Sequence, residues 1–348
     1  MIHLSRSPGS PAGADALAAT AGGRTGLSGL VDTLVRAEEP AVRRARGSRV
    51  PRLLGRAVDW AFTWDADDRR DRRWWPQGIT SSADGDAPKS DRGRDLLVTS
   101  WYSKKPDGVS HGSRVSVIDL ATLRYAHVLL VVASVVGGRL RLEPLRVHAG
   151  GLVWHGPWLH VAATGRGFLT CHWDDLVQVA DGDALFGHTH LLPVRFTHRG
   201  AGNDGVDRLR FSFLSLDRSG DVPRLVAGEY GRGRQTRRVA RFALDPGSGL
   251  PSRNAEGRST ALHLDDFGLA RMQGVVLARG RWYATASVGP WLPGSVHVGD
   301  AGRLRAHHLA APIGPEDLTW WPAQDRLWTV TEHPRRRWVC AMRRDWFA

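Results

Sequence analysis

The feature that most constrains this chain is a repeat. Short apolar segments open five times on polar or small residues, at Gln77-Gly78-Ile79, Gly150-Gly151-Leu152, Ser212-Phe213-Leu214, Gln273-Gly274-Val275 and Glu316-Asp317-Leu318. Each is followed by a second apolar segment (97–102, 159–163, 225–230, 282–287, 327–332) and then a third (114–119, 167–173, 238–244, 295–298, 338–342). Gly, Pro and Asp turns separate them. Recurring antiparallel units of this size predict an all-β chain, a five-bladed β-propeller, with six blades as the alternative count. A glycine just after the opening polar residue fits inner strands crowded around a narrow axis, where a side chain has no room. A two-sheet sandwich gives no reason for it. The fifth unit ends without a fourth strand, so residues 58–64 are expected to supply it and close the ring. The third unit, opening on Ser212-Phe213, departs most from the pattern.

Residues 1–28 are rich in Gly, Ala, Ser and Pro and read as a disordered tail. From 27 to 57 apolar residues recur around Leu30, Leu34, Val35 and Val42, with Pro40 and Pro51 interrupting, which predicts short helices. The domain division is therefore an extension over 1–57 and a single propeller over 58–348. The 48 Lys+Arg against 35 Asp+Glu give a formal charge of +13. Because the basic residues form no stripe and carry no nucleic-acid motif, a nucleic-acid partner is disfavoured and a small-molecule or glycan substrate preferred. Cys171 and Cys340 fall in different repeats and read as core residues. The longest apolar run, 128–136, is too short to span a bilayer. No export signal is visible, which predicts a cytoplasmic location, and a monomer is expected.

The segments WWPQGITSS, HAGGLVW, SFLSLDR, RMQGVVL and PIGPEDLTWWPAQDRLWTVTEHP resemble a group of actinobacterial proteins described as secreted proteins. The resemblance runs from Trp74 to the C-terminus and implies a shared propeller without a known activity. Secretion of those relatives makes an extracellular location the alternative. The stretch from Glu316 to Leu318, with the Trp-rich segment after it, has a weaker likeness to calcium-dependent propellers of the gluconolactonase type. That likeness implies a glutamate at an inner-strand start as a metal holder, so calcium is the candidate cofactor.

In a propeller, inner-strand starts and second-strand ends share one face. This places Gln77, His148, Gln273, Glu316 and Asp317 beside Tyr102, Thr164, Glu229, Ser287 and Glu332. Glu316, Glu229, His148 and Asp317 are the candidate catalytic residues. Gln77, Gln273, Trp75, Trp101, Tyr102, Trp320 and Glu332 are the candidate substrate-binding residues. Crowded carboxyls raise one another's pKa so that one serves as general acid, as glycoside cleavage requires, and carboxylates with an amide oxygen make a cage for Ca²⁺. The competing reading has Glu316 and Gln273 hydrogen-bonding backbone groups around the axis. The 15 tryptophans include the pairs Trp74-Trp75 and Trp320-Trp321, whose faces suit sugars or cations.

Asp65-Ala66-Asp67-Asp68 matches the D-x-D-D acid motif of helical terpene cyclases, but a strand-rich context argues for a local turn. His188-Thr189-His190 offers two histidines for a metal without a third ligand. The loop 231–238 reads as a solvent-facing or anion-binding turn. The leading expectation is an enzyme of hydrolase or lyase type acting in the central funnel. Its alternatives are a propeller that binds a glycan or metabolite without reacting it, and an isoprenoid-type cyclase with acid initiation in an aromatic pocket.

Overall fold

The computed structural model describes residues 1–36, 39–84, 93–180 and 185–348. Its strands form antiparallel meanders of four. The first holds Trp74–Ser81, Leu96–Ser103, Ser113–Asp119 and Arg124–Val136; the second holds Leu152–His155, Trp158–Ala163, Gly167–His172 and His190–Gly202. The third runs through Phe213–Asp217, Arg224–Gly228, Arg238–Ala243 and His263–Asp266; the fourth through Met272–Ala278, Arg281–Ala286, Ser295–Asp300 and Arg303–His307. In the fifth, Pro315–Trp321, Arg326–Thr331 and Trp338–Arg343 are joined by Val58–Thr63 from far upstream, with Val339 opposite Phe62 and Cys340 opposite Ala61. The first strand of each meander packs against the first strand of the next, and the fifth returns to the first. This is a β-propeller, its ring closed by strand exchange between the two ends of the fold.

The inner glycines show why the ring forms so tightly. A Cβ on Gly78 would sit 2.8 Å from the Gly151 carbonyl carbon, one on Gly151 2.2 Å from the Leu214 nitrogen, and one on Gly274 2.4 Å from the Leu318 nitrogen. Each glycine lets its strand touch the backbone of its neighbour. Between the meanders, apolar faces interdigitate: Val98, Val115 and Val117 of the first pack with Trp154, Leu159 and Val161 of the second. Trp64, Trp101, Trp154 and Trp328 are fully buried there, and Cys171 and Cys340 are free thiols in the core. No helix among the described residues is long and apolar enough to cross a membrane.

The N-terminus corrects the sequence reading. Residues 1–28 are no tail: Ile2–Arg6 pairs with the outer strand of the second meander, and a helix, Pro11–Thr20, packs beside it. Ile2 and Leu17 are wholly buried. The small residues that suggested disorder serve close approach, since a Cβ on Gly13 would fall 2.1 Å from the Ala133 carbonyl oxygen. A second helix, Gly26–Arg36, buries Leu30, Val31 and Leu34. The outer strands of the first and second meanders also differ from the repeat. Each is 13 residues long, and they pair in parallel at Leu191 with Leu129, which fuses the two meanders into one sheet.

Candidate functional site

Above the inner glycines the axis opens into a cavity of about 500 Å³, walled by Gln77, His148, Thr164, Gln273, Glu316 and Glu332, with Arg210, Ser212, Tyr230, Arg232 and Gln235 on the remaining side. Glu316 is the second residue of the fifth inner strand, and Glu332 directly follows the second strand, so the antiparallel turn brings both to one end. Gln77 Nε2 donates to Glu332 Oε2 at 3.1 Å, and Gln273 Nε2 to Glu316 Oε1 at 3.4 Å. Burial, then Glu332 and Asp317, push the Glu316 carboxyl well above its ordinary value. Burial raises Glu332 as well, against the opposing pull of Lys104, the Gln77 amide and Arg337. Both carboxyls thus resist ionisation, Glu316 the more strongly. Tyr102, raised by burial and by Glu332 and Glu316, stays a neutral phenol. His148 meets Tyr102 with ring centroids 4.4 Å apart, and its pKa is lowered by desolvation and Lys104, so it is neutral too.

Other expected site residues lie elsewhere or are already committed. Asp317 is fully buried beneath the cavity, where its Oδ2 accepts the backbone N–H groups of Ile79 and Leu152, each at 3.1 Å. It therefore clasps the first, second and fifth inner strands. Further down the axis Asp84 accepts the hydroxyls of Thr80 at 2.8 Å and Thr319 at 2.6 Å. Glu229 accepts two side-chain N–H groups of Arg238, at 2.9 and 3.1 Å, and the backbone N–H groups of Arg238 and Arg210. Those bonds use both its oxygens and hold it in the wall of the third meander. Ser287 is not part of the cavity wall.

The tryptophans divide similarly. Trp101 is fully buried and its indole N–H donates to Ser116 Oγ at 2.7 Å. Trp320 pairs with Leu327 at the opposite end of its strand from Glu316, and its indole reaches Asp325. Only Trp75 stays near the funnel face, half-buried, with Lys104 Nζ 3.0 Å from its ring centroid.

A calcium cage requires several ionised oxygens converging on one point. Among the described residues no three His, Cys, Asp or Glu side chains are placed to hold a metal ion; Glu229 and the Oδ2 of Asp317 are engaged by N–H donors. Glu316 and Glu332 are the carboxyls that line the cavity, and both are held toward the protonated form. His190 is wholly buried while His188 lines a separate cavity, so that pair does not converge. The cavity's polar wall, with Tyr230 as its one tyrosine or tryptophan, also lacks the aromatic lining that carbocation chemistry needs.

The D-x-D-D segment builds a different cluster. Asp65 caps the short helix Ala66–Arg70 by accepting the Asp68 N–H at 2.8 Å. Asp68 accepts from Arg114 and His127 at 2.8 Å and from the Tyr125 hydroxyl at 2.7 Å. Burial would raise its pKa, but His127 and Arg114 hold it well below the usual range. His127 Nδ1 in turn meets Ser116 Oγ at 2.8 Å. A series Trp101–Ser116–His127–Asp68 results, with a neutral histidine whose pKa burial lowers to about 4. Ser116 is fully buried and already accepts from Trp101, so it is not a nucleophile despite the triad-like composition.

Sequence reasoning missed Arg210, Tyr230, Arg232 and Gln235. The last two sit in the loop 231–238, whose basic composition was the available signal. Tyr230 was hidden behind Glu229, one residue away and on the opposite side of the strand end.

No family model matches the chain, and no curated protein does. Solved structures similar to it include a gluconolactonase from Xanthomonas campestris at 14% identity, covering 87% of this chain and 98% of the other with a TM-score of 0.38. A GH43_1 enzyme from Xanthomonas citri is 10% identical over 82% and 91% of the two chains, TM-score 0.35. The Cps50 β-propeller domain of Myceliophteria thermophila is 12% identical over 78% and 98%, TM-score 0.36.

Proposed function

We propose that this propeller, read as five blades with one meander to each, is an enzyme of hydrolase or lyase type that acts on a small molecule or glycan in the axial cavity. The observation that carries the reading is the placement of Glu316 and Glu332 in one open cavity, each desolvated and each oriented by a glutamine amide. Glu316 is the general acid: it keeps its proton at neutral pH and presents it to a leaving-group oxygen. Glu332 is nearer the ionised state because Lys104 and Arg337 favour its charge, so it receives a proton from water or from the substrate. Gln77 and Gln273 fix the two carboxyl planes, and Tyr102 and His148 supply neutral hydrogen-bonding groups at the rim.

Turnover of chromogenic glycosides and lactones by the wild type, Glu316→Gln and Glu332→Gln tests this. Each variant is expected to lose about a hundredfold or more in kcat, the usual range for a general acid or base. Unchanged turnover in both would sink the assignment. A second reading, glycan binding without reaction, draws on the fact that both carboxyls already have amide partners. It predicts that no substrate is turned over by the wild type and that Glu316→Gln binds as tightly as the parent.

A further inference from the structure

The axial cavity does not end at the axis. It shares His148 and Thr164 with a neighbouring cavity of about 320 Å³, which in turn shares Arg146 and Arg166 with a third of about 610 Å³. The three follow the seam between the first and second meanders outward from Glu316. We propose that they form one continuous groove that takes an anionic glycan chain, with the cleavage end at the axis. This deepens the reading of the axial site given above and rests on it for the position of the reacting bond.

Charge is the main ground. Lys105, Arg146 and Arg166 line the middle section, and Arg146, Arg166, Arg199 and Arg208 the outer one. All five side chains are exposed. Arg146 Nε reaches the Ser110 carbonyl at 3.4 Å, and among the described residues none of the five faces a carboxylate. Four arginines elsewhere do have such partners: Arg224 with Asp217, Arg238 with Glu229, Arg326 with Asp59, Arg344 with Asp325. The acid of the outer wall, Glu143, turns to Arg141 at 3.2 Å. A row of unmatched guanidinium groups along a groove repels itself, and carboxylate or sulfate groups of a ligand relieve that repulsion through forked hydrogen bonds.

A sugar chain fits better than a single-stranded nucleic acid. Bases need exposed rings to stack on. In the outer section Phe168 is wholly buried, its ring stacked on His198 with centroids 4.2 Å apart. Between the arginines the wall there carries the aliphatic side chains Val132, Pro144, Leu145 and Val147, which suit the C–H faces of pyranose rings.

The test is calorimetric titration of the full chain with an oligogalacturonate, a heparin-derived oligosaccharide, a neutral xylo-oligosaccharide and an oligothymidylate. An Arg166→Ala/Arg199→Ala double variant and Arg303→Ala, on an exposed edge of the fourth meander, are titrated in parallel. The expected result is salt-sensitive binding of one or both anionic glycans, about tenfold weaker or more in the double variant and unchanged in Arg303→Ala. If the wild type binds an anionic glycan in this way and cleaves nothing, the groove stands and the catalytic reading falls. Equal binding of the neutral oligosaccharide, preference for the oligothymidylate, no binding of any probe, or indifference to loss of Arg166 and Arg199 overturns the groove.

Discussion

Two clusters in this molecule have nearly the same ingredients and opposite electrostatics. Around Asp68, a buried carboxylate meets Arg114, His127 and Tyr125, and its pKa is held down. Around Glu316, an equally buried carboxyl meets a glutamine amide and a second glutamate, and its pKa is pushed up. The first is satisfied by the protein alone and cements the closure of the ring. The second resists ionisation and borders an open cavity, as the proposed acid role requires. Arg337 lies between them, wholly buried, donating to the carbonyls of both Glu332 and Asp68. It thereby ties the rigid cluster to the end of the strand that carries Glu332.

The contrast breaks most visibly at Asp68. Asp68→Ala strands the Arg114 guanidinium in the core and is expected to cost about 3–5 kcal/mol in urea unfolding. A loss below about 1 kcal/mol would mean that the cluster is not structural. Because its folded pKa is depressed, the stabilisation from Asp68 is present above the ordinary carboxylate range and is lost as pH falls below it. Next comes Asp317→Ala, which orphans two buried N–H groups and should cost roughly 2–4 kcal/mol. Loss of turnover at full stability would return Asp317 to the catalytic set.

Glu316→Gln should do the reverse. A carboxyl whose folded pKa is raised takes up protons on folding, so stability falls as pH climbs from its unfolded pKa toward its folded one. Replacing it with an uncharged amide removes that loss. The variant is expected to be more stable than the parent by about 1 kcal/mol or more in mildly alkaline buffer, and to match it in acid. The smallest effect is expected from Lys104→Met: removing the cation that favours ionised Glu332 should shift the corresponding limb of the pH–rate profile upward by roughly half a unit.

The propeller was legible because its inner-strand glycines repeat and their cause is steric. Gly78, Gly151 and Gly274 each lie against the backbone of the neighbouring inner strand. The N-terminal strand and helix were not legible, because Ile2 and Leu4 give too short an alternation and Ala and Gly chosen for close packing resemble a flexible tail. Within the site, phase along the inner strands placed Gln77, Gln273, Glu316 and Glu332 together. It did not distinguish Glu316 from Asp317, since adjacent residues of a strand point oppositely and only the backbone donors of Ile79 and Leu152 reveal what Asp317 does. Glu229 misled for a similar reason: its arginine partner is nine residues away, on the next strand.

The protonation state of Glu316 is the most direct test. Isotope-edited infrared spectroscopy of the resting protein, with Glu316→Gln to identify the band, reads it without a substrate. A carboxylic-acid carbonyl band that persists in neutral buffer, far above the ordinary 4.5, and vanishes in the variant is the predicted result. A band that titrates to carboxylate near that ordinary value would contradict the acid role of Glu316 and the contrast with Asp68.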